Sequence, residues 1–238
     1  TNVEEVFPDR AREDGRWYAA DFTLSEIKQL KVHERTNTDG TAVFAGRFPQ
    51  NNSDFEVPTF EEMIELIQGL NKATGRNVGI YPEIKSPTWH AAEGLPMEEK
   101  LLDLLAQYGY EGPNARIYVQ SFENHSLRMM RDDLGTKLPL VQLVDTGNNS
   151  DTGENYSFMV TQEGLKEIAT FADGVGPYKM YIEANPELVQ WAHDDGLQVH
   201  TWTMRNEPRR LASDFAGDPK AEYKRFFELG IDGLFSDF

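Results

Sequence analysis

Apolar positions along the chain follow two periods that take turns. From Thr59 onward, Phe60, Met63, Ile64, Ile67 and Leu70 recur at three- to four-residue spacing, which predicts a helix with one buried face. Thr59 with Glu62 makes a capping box at its start, and Gly75 stops it. The period then changes. In residues 77–85, Val78, Ile80 and Ile84 lie between the turn signals Gly75 and Pro87 and predict a short buried strand. A helix follows from Pro96 through Leu101, Leu102, Leu104 and Leu105, closing near Gly109, and then a strand over 116–122. Further on, the pattern predicts a helix over about 123–134, a strand at 140–144, a turn-rich loop at 145–156 and a helix over 162–171. The short segment 173–177, a helix over 186–194, a strand at 197–203, a helix over 221–229 and a strand at 233–237 complete the chain.

Strands alternating with amphipathic helices imply right-handed crossovers and a parallel sheet. Several of these strands finish in polar residues: Glu83 and Lys85, Gln120 and Ser121, Trp202 and Thr203, Ser236 and Asp237. A TIM-type (β/α)8 barrel collects its active site at such carboxyl ends, so the fold expected is an α/β barrel rather than an open sheet. No glycine-rich nucleotide signature argues otherwise. About six strands are countable where a barrel needs eight, so the barrel is expected to be incomplete at its N-terminus, with further strands preceding Thr1. Residues 1–58 show one convincing helix, opened by the capping box of Thr23 and Glu26, among turn formers and aromatics. They read as a loop-rich insertion that shapes a pocket, with 59–238 as the barrel proper and the whole as one structural domain.

Composition narrows the partners. A formal net charge of −17 over 238 residues opposes binding to a nucleic-acid backbone, and no basic cluster offsets it. The chain has no cysteine, which removes disulfides and thiol nucleophiles. No apolar run reaches the length of about 18 residues that a membrane span requires.

The candidate chemistry centres on Glu83 and Lys85. Side chains alternate along a strand, so these two point the same way and Ile84 points to the other face. Two readings compete: an ion pair that caps the strand, or a metal-binding or catalytic carboxylate beside a cation that meets a phosphate or another anion. Trp202 reads as pocket wall rather than core, with Thr201 and Thr203 on the other face. Gln120 stands between a substrate contact and a polar group satisfied by backbone. Phe48 and Trp17 either line the pocket or hold the insertion together; Phe48 is kept as a substrate-contact candidate. Asp237 is expected at the rim without ligating anything, and His200 is expected to be packed rather than catalytic.

The motifs Pro82-Glu83-Ile84-Lys85, Gln120-Ser121-Phe122-Glu123, His200-Thr201-Trp202-Thr203 and Gly230-Ile231-Asp232-Gly233-Leu234-Phe235-Ser236-Asp237, in this order, resemble those of the glycerophosphodiester phosphodiesterases. Phe7-Pro8-Asp9-Arg10-Ala11-Arg12 with Gly46-Arg47-Phe48-Pro49 is similar to the periplasmic, GlpQ-like bacterial branch. The resemblance implies a barrel enzyme that uses Ca2+ or Mg2+ to hydrolyse small-molecule glycerophosphodiesters to glycerol 3-phosphate and an alcohol, in the periplasm or secreted. It implies that Glu83 is a metal ligand, that Lys85 lies near the phosphate, and that the insertion covers the glycerol side. The family's His-Arg-Gly, Glu-x-Asp and His-Asp motifs, which carry two catalytic histidines and two further metal carboxylates, do not occur here. On that reading the 238 residues alone are expected to be inactive, because a divalent ion needs several oxygen ligands. Two alternatives remain open: a non-catalytic relative that binds phosphodiesters, and an unrelated barrel enzyme using Lys85 as a Schiff-base amine. Oligomeric state is not legible in the sequence.

Overall fold

The computed structural model describes residues 1–37, 39–44, 55–215 and 217–237. They form two compact units, Thr1–Gly75 and Arg76–Phe238.

In the first unit, a single-turn helix α1 (Val3–Val6) precedes α2 (Leu24–Ile27), and β1 (Lys31–Val32) pairs antiparallel with β2 (Phe55–Glu56). The longest element is α3 (Phe60–Thr74). Both expected capping boxes are present, with Thr23 on Glu26 and Thr59 on Glu62, and Gly75 closes α3 in the left-handed conformation at φ 67°. Short-range polar contacts hold the loops. Arg12 grips Asp21 through two hydrogen bonds of 2.7 Å, and Arg10 pairs with Glu26 while lying over the Phe22 ring. Trp17 donates Nε1–H to the Phe7 carbonyl at 2.8 Å, so it ties the loop together. Phe48 lies outside the described residues.

In the second unit, residues 80–84 come first. They run beside the later β3 (Val119–Ser121) through the parallel bridges Ile80↔Ile117 and Glu83↔Gln120, closed by Ile84 N–H to the Gln120 carbonyl at 2.9 Å. This lane is less regular than the sequence suggests: Ile84 is buried as expected, whereas Val78 is exposed because pairing begins only at Ile80. Helices α4 (Pro87–Ala92) and α5 (Glu98–Gln107) lead to β3. Then α6 (Asn124–Arg128), extended by a wide turn over Met129–Asp133, leads to β4 (Leu140–Val144). Helices α7 (Tyr156–Met159) and α8 (Gln162–Ile168) precede β5 (Gly174–Pro177). Helices α9 (Lys179–Ala184) and α10 (Glu187–Asp194) precede β6 (Gln198–Met204), and α11 (Pro219–Glu228) precedes β7 (Gly233–Ser236).

The sheet is parallel throughout, in the order β3-β4-β5-β6-β7, so each strand lies beside the next in sequence. With residues 80–84 it has the six lanes counted from the apolar pattern. β4 is buried at every residue, and outside it Leu105, Leu127, Leu165, Leu188 and Phe226 from the crossover helices are buried as well. Such two-faced burial is what covered parallel strands require.

Ring contacts show that the sheet curls. β3 and β6 are three lanes apart, roughly 14 Å in a flat sheet at about 4.8 Å per lane. The Tyr118 and His200 rings nonetheless meet at 4.7 Å, and Tyr81 of the first lane meets Phe235 of β7 at 4.9 Å. Strands in consecutive order, wrapped so that distant lanes touch, form an arc of a (β/α)8 barrel rather than an open doubly wound sheet. Gly233 is required there, since a Cβ on it would stand 2.8 Å from His200 Cδ2.

The sequence did not foresee α4, α9 or a buried ion pair. Pro87 reads as a stop, but it occupies the first helical position of α4, where proline costs nothing. Helix α9, six residues long, is too short to display a period. Its Lys179 is fully buried and donates to Glu222 Oε1 on α11 at 2.8 Å and to the Arg210 carbonyl at 2.6 Å, while Glu222 Oε1 also accepts from Ala212 N–H at 2.8 Å. Removing one partner leaves the other charge buried and uncompensated. Lys179→Met should therefore cost about 3–5 kcal/mol in urea unfolding of the protein. A loss below about 1 kcal/mol would show the pair to be dispensable.

Candidate functional site

Because the strands are parallel and the sheet curls, their carboxyl ends converge. They border a cavity of about 590 Å³, within the range of small-molecule sites. β3, β4, β6 and β7 contribute to its wall, together with the first lane and the loop after β4. Four sequence-level candidates, Glu83, Lys85, Gln120 and Trp202, all line it.

Glu83 and Lys85 open onto this cavity from the first lane, exposed to solvent, and neither forms an ion pair with the other or with any other described residue. The strand-capping ion pair weighed from the sequence is thus not made. Crowding by surrounding protein displaces water from the Glu83 carboxylate and raises its pKa, while the Lys85 charge pulls it back down. Directly after Lys85, Ser86 adopts φ 47° where the chain turns into α4. It is the one non-glycine at positive φ among the described residues, and it too borders the cavity.

Next to this lane, β3 and the N-cap of α6 contribute buried oxygens. Gln120 Oε1 has no hydrogen-bond partner, and neither has Glu123 Oε1, although Glu123 is only 1 % exposed. The other Glu123 oxygen accepts from Thr88 N–H at 3.1 Å and from Thr88 Oγ1–H. Buried acceptors left unpaired cost stability and need an explanation. As hard oxygen donors, Glu83 and the amide oxygen of Gln120 suit a divalent cation in type. They fall short in number, since among the described residues no three His, Asp or Glu side chains are grouped closely enough to hold a metal ion.

On β6, Trp202 lines the cavity. Its Nε1–H donates to the Gly176 carbonyl at 2.8 Å, which fixes the ring. Thr203 borders the cavity as well, contrary to strict alternation, because the β6–β7 register is irregular between Thr201 and Met204. At the end of β7, Asp237 borders the cavity and is paired with Arg205 at 2.5 Å. His200 lies inside the sheet, 6 % exposed, with Nδ1 2.8 Å from the Tyr81 hydroxyl, and burial lowers its pKa. None of the five histidines borders the cavity.

Sequence reasoning missed the part of the wall that follows β4. The loop after β4 presents Asp145 and Asp151, and Tyr156 at its far end lines the cavity with Phe122. Asn149 shapes this loop: its amide donates to the Tyr156 hydroxyl at 2.8 Å, and its oxygen accepts from the Asp151 and Thr152 N–H groups. Burial pushes the Tyr156 hydroxyl pKa up to about 12. The loop's position directly after a strand end is the signal the sequence offers, and turn propensity masks it.

Fold and site together define a (β/α) barrel protein with its pocket at the strand ends. The chain belongs to the glycerophosphoryl diester phosphodiesterase family, whose sequence profile matches residues 2–238. A glycerophosphodiester phosphodiesterase of Haemophilus influenzae is 36% identical over 266 aligned residues, covering 100% of this chain and 72% of that protein. One from Treponema pallidum is 35% identical, covering 87% of this chain and 66% of that protein. Among solved structures, a glycerophosphoryl diester phosphodiesterase of Silicibacter pomeroyi aligns at 26% identity with a TM-score of 0.63, over 94% of this chain and 70% of that one.

The raised pKa of Glu83 has a stability consequence. A carboxyl whose pKa is higher in the folded than in the unfolded state, about 4.3 for free glutamate, opposes folding once ionised, so its unfavourable effect grows as pH rises through the folded value. Glu83→Gln should therefore melt above the unsubstituted protein at pH 7, with the gain vanishing below about pH 4. A lowered melting temperature at pH 7 would return Glu83 to a structural role.

Proposed function

We propose that this protein hydrolyses glycerophosphodiesters to glycerol 3-phosphate and an alcohol, serving glycerophospholipid and glycerol metabolism, with Glu83 as one ligand of a divalent cation, Ca2+ or Mg2+. The observation that carries the reading is the unpaired Glu83 and Lys85 at the strand-end cavity of a family member. Such a cation would neutralise the charge with which a phosphodiester repels its attacker. Lys85 holds the phosphate oxygens by its charge, and the Gln120 oxygen accepts from a substrate hydroxyl, which would remove its buried lack of a partner. The Trp202 ring keeps water from the reacting face. Phe48 remains proposed as a contact on the glycerol side. A periplasmic or secreted location belongs to the same proposal; among the described residues no helix is long and apolar enough to cross a membrane.

Acid and base are not identified in this chain, since no histidine reaches the cavity wall. The 238 residues alone are accordingly proposed to bind but not turn over substrate. The same observation favours a second reading, a family member that binds phosphodiesters without cleaving them.

Phosphorus NMR of the complete gene product with glycerophosphocholine separates the two readings. Glycerol 3-phosphate should appear, stop with chelator and return with Ca2+ or Mg2+; saturable binding without product would favour the binding module. Glu83→Gln should lower kcat by roughly a hundred-fold or more, since the several kcal/mol that a metal's charge supplies correspond to that factor. Lys85→Met should lower kcat/KM about ten- to a hundred-fold with an unchanged melting temperature. Undiminished turnover in either variant refutes that residue's role.

A further inference from the structure

The turn that carries Lys85 is tied on both sides to the end of β3. Ahead of it, Ile84 donates N–H to the Gln120 carbonyl at 2.9 Å, and the Ile84 carbonyl accepts from Ser121 Oγ–H at 3.0 Å. Behind it, Thr88 donates N–H, at 3.1 Å, and Oγ1–H to the same Glu123 oxygen, Oε2. Glu123 is 1 % exposed, and its own N–H donates to Ser121 Oγ at 3.2 Å, which joins the two ties. Between them lie only Lys85, Ser86 and Pro87.

The enclosed residues need such a frame. Ser86 has φ 47°, a conformation that costs free energy for a residue with a Cβ and persists only where the surroundings over-determine it. Ser86 also stands at the N-cap of α4 without making a side-chain cap, so Glu123 satisfies a first-turn N–H of α4 from another strand. Lys85 makes no hydrogen bond or ion pair of its own among the described residues. The backbone of this turn therefore sets the root of its side chain, and a flexible four-carbon stem carries any shift of that root to the ammonium.

We propose that Glu123 is a positioning residue: by capping α4 from the end of β3 it locks the turn at residues 85–87 and holds the Lys85 ammonium at the cavity for the phosphate. This rests on the phosphodiester reading of Lys85. Glu123 itself, shielded behind the turn, touches no substrate.

Kinetics of the complete gene product with glycerophosphocholine test it. Glu123→Leu should lower kcat/KM about five- to ten-fold, less than removal of the ammonium itself. Glu123→Gln, whose amide oxygen can still accept from Thr88, should stay within about two-fold of the unsubstituted protein. The loss should also depend on Lys85, so that in the Lys85→Met background Glu123→Leu costs less than about two-fold further. An equal loss with and without Lys85, or an equal loss for Leu and Gln, overturns the proposal, because a merely structural role would give either. Should melting show Glu123→Leu to be unfolded, Thr88→Val removes only the hydroxyl bond. It should lower kcat/KM about two- to five-fold, an effect that Lys85→Met abolishes, and no effect overturns the proposal. In a protein that binds without cleaving, the same ratios are read from the Kd for glycerol 3-phosphate by phosphorus NMR. Neither turnover nor phosphate binding in the unsubstituted protein would defeat the phosphodiester reading and this role together, whereas turnover with no coupling between Glu123 and Lys85 would defeat this role alone.

Discussion

The curl of the parallel sheet is the constraint on which the candidate site depends. An inward layer of rings holds it: Tyr81 on the first lane, Tyr118 ahead of β3, His200 on β6 and Phe235 on β7. Because burial disfavours the charged imidazole, His200 serves as a neutral ring that can accept the Tyr81 hydroxyl at Nδ1. Tyr118 donates its own hydroxyl to Gln198 Oε1 at 2.6 Å, a second tie across the same lanes. Were the sheet flat, Glu83 and Trp202 would stand several lanes apart. The curl makes them walls of one cavity.

That cavity sits in a strongly acidic protein, and its lining repeats the imbalance. A phosphodiester is itself an anion, so it cannot be held by shape alone. It needs positive charge near the phosphate, from Lys85 and, as proposed, from a cation shared with Glu83. The unpaired state of Glu83 and Lys85 fits this demand better than any structural purpose: two opposite charges two residues apart would gain most by pairing, and they do not pair. The unpartnered oxygens of Gln120 and Glu123 carry a cost of their own, since buried acceptors left without partners forgo stability.

The sequence disclosed the lanes, the order of helices and the family, because burial on both faces leaves apolar runs and capping boxes leave fixed spacings. The tips of those lanes gave Glu83, Lys85, Gln120 and Trp202. The remainder depends on contacts distant along the chain. The Lys179–Glu222 pair links positions that no periodicity relates, and α4 hides behind a proline that reads equally well as a stop. Thr203 reaches the cavity through a local irregularity of register, which alternation cannot anticipate. The acidic loop after β4 was plain as a turn region, but its role is set by Asn149, whose bonds to Tyr156 and to the loop backbone appear only in three dimensions.

The central claim is that the reacting phosphate lies between Glu83 and Lys85 at the carboxyl ends of the strands. Crystals of the protein grown with Mn2+ and glycerol 3-phosphate test it most directly, through the anomalous signal of the metal and the position of the phosphate. The account expects the metal to be ligated by a Glu83 oxygen and the phosphate to be within hydrogen-bond reach of Lys85 Nζ. A metal and phosphate bound together elsewhere, with Glu83 and Lys85 touching neither, would contradict it.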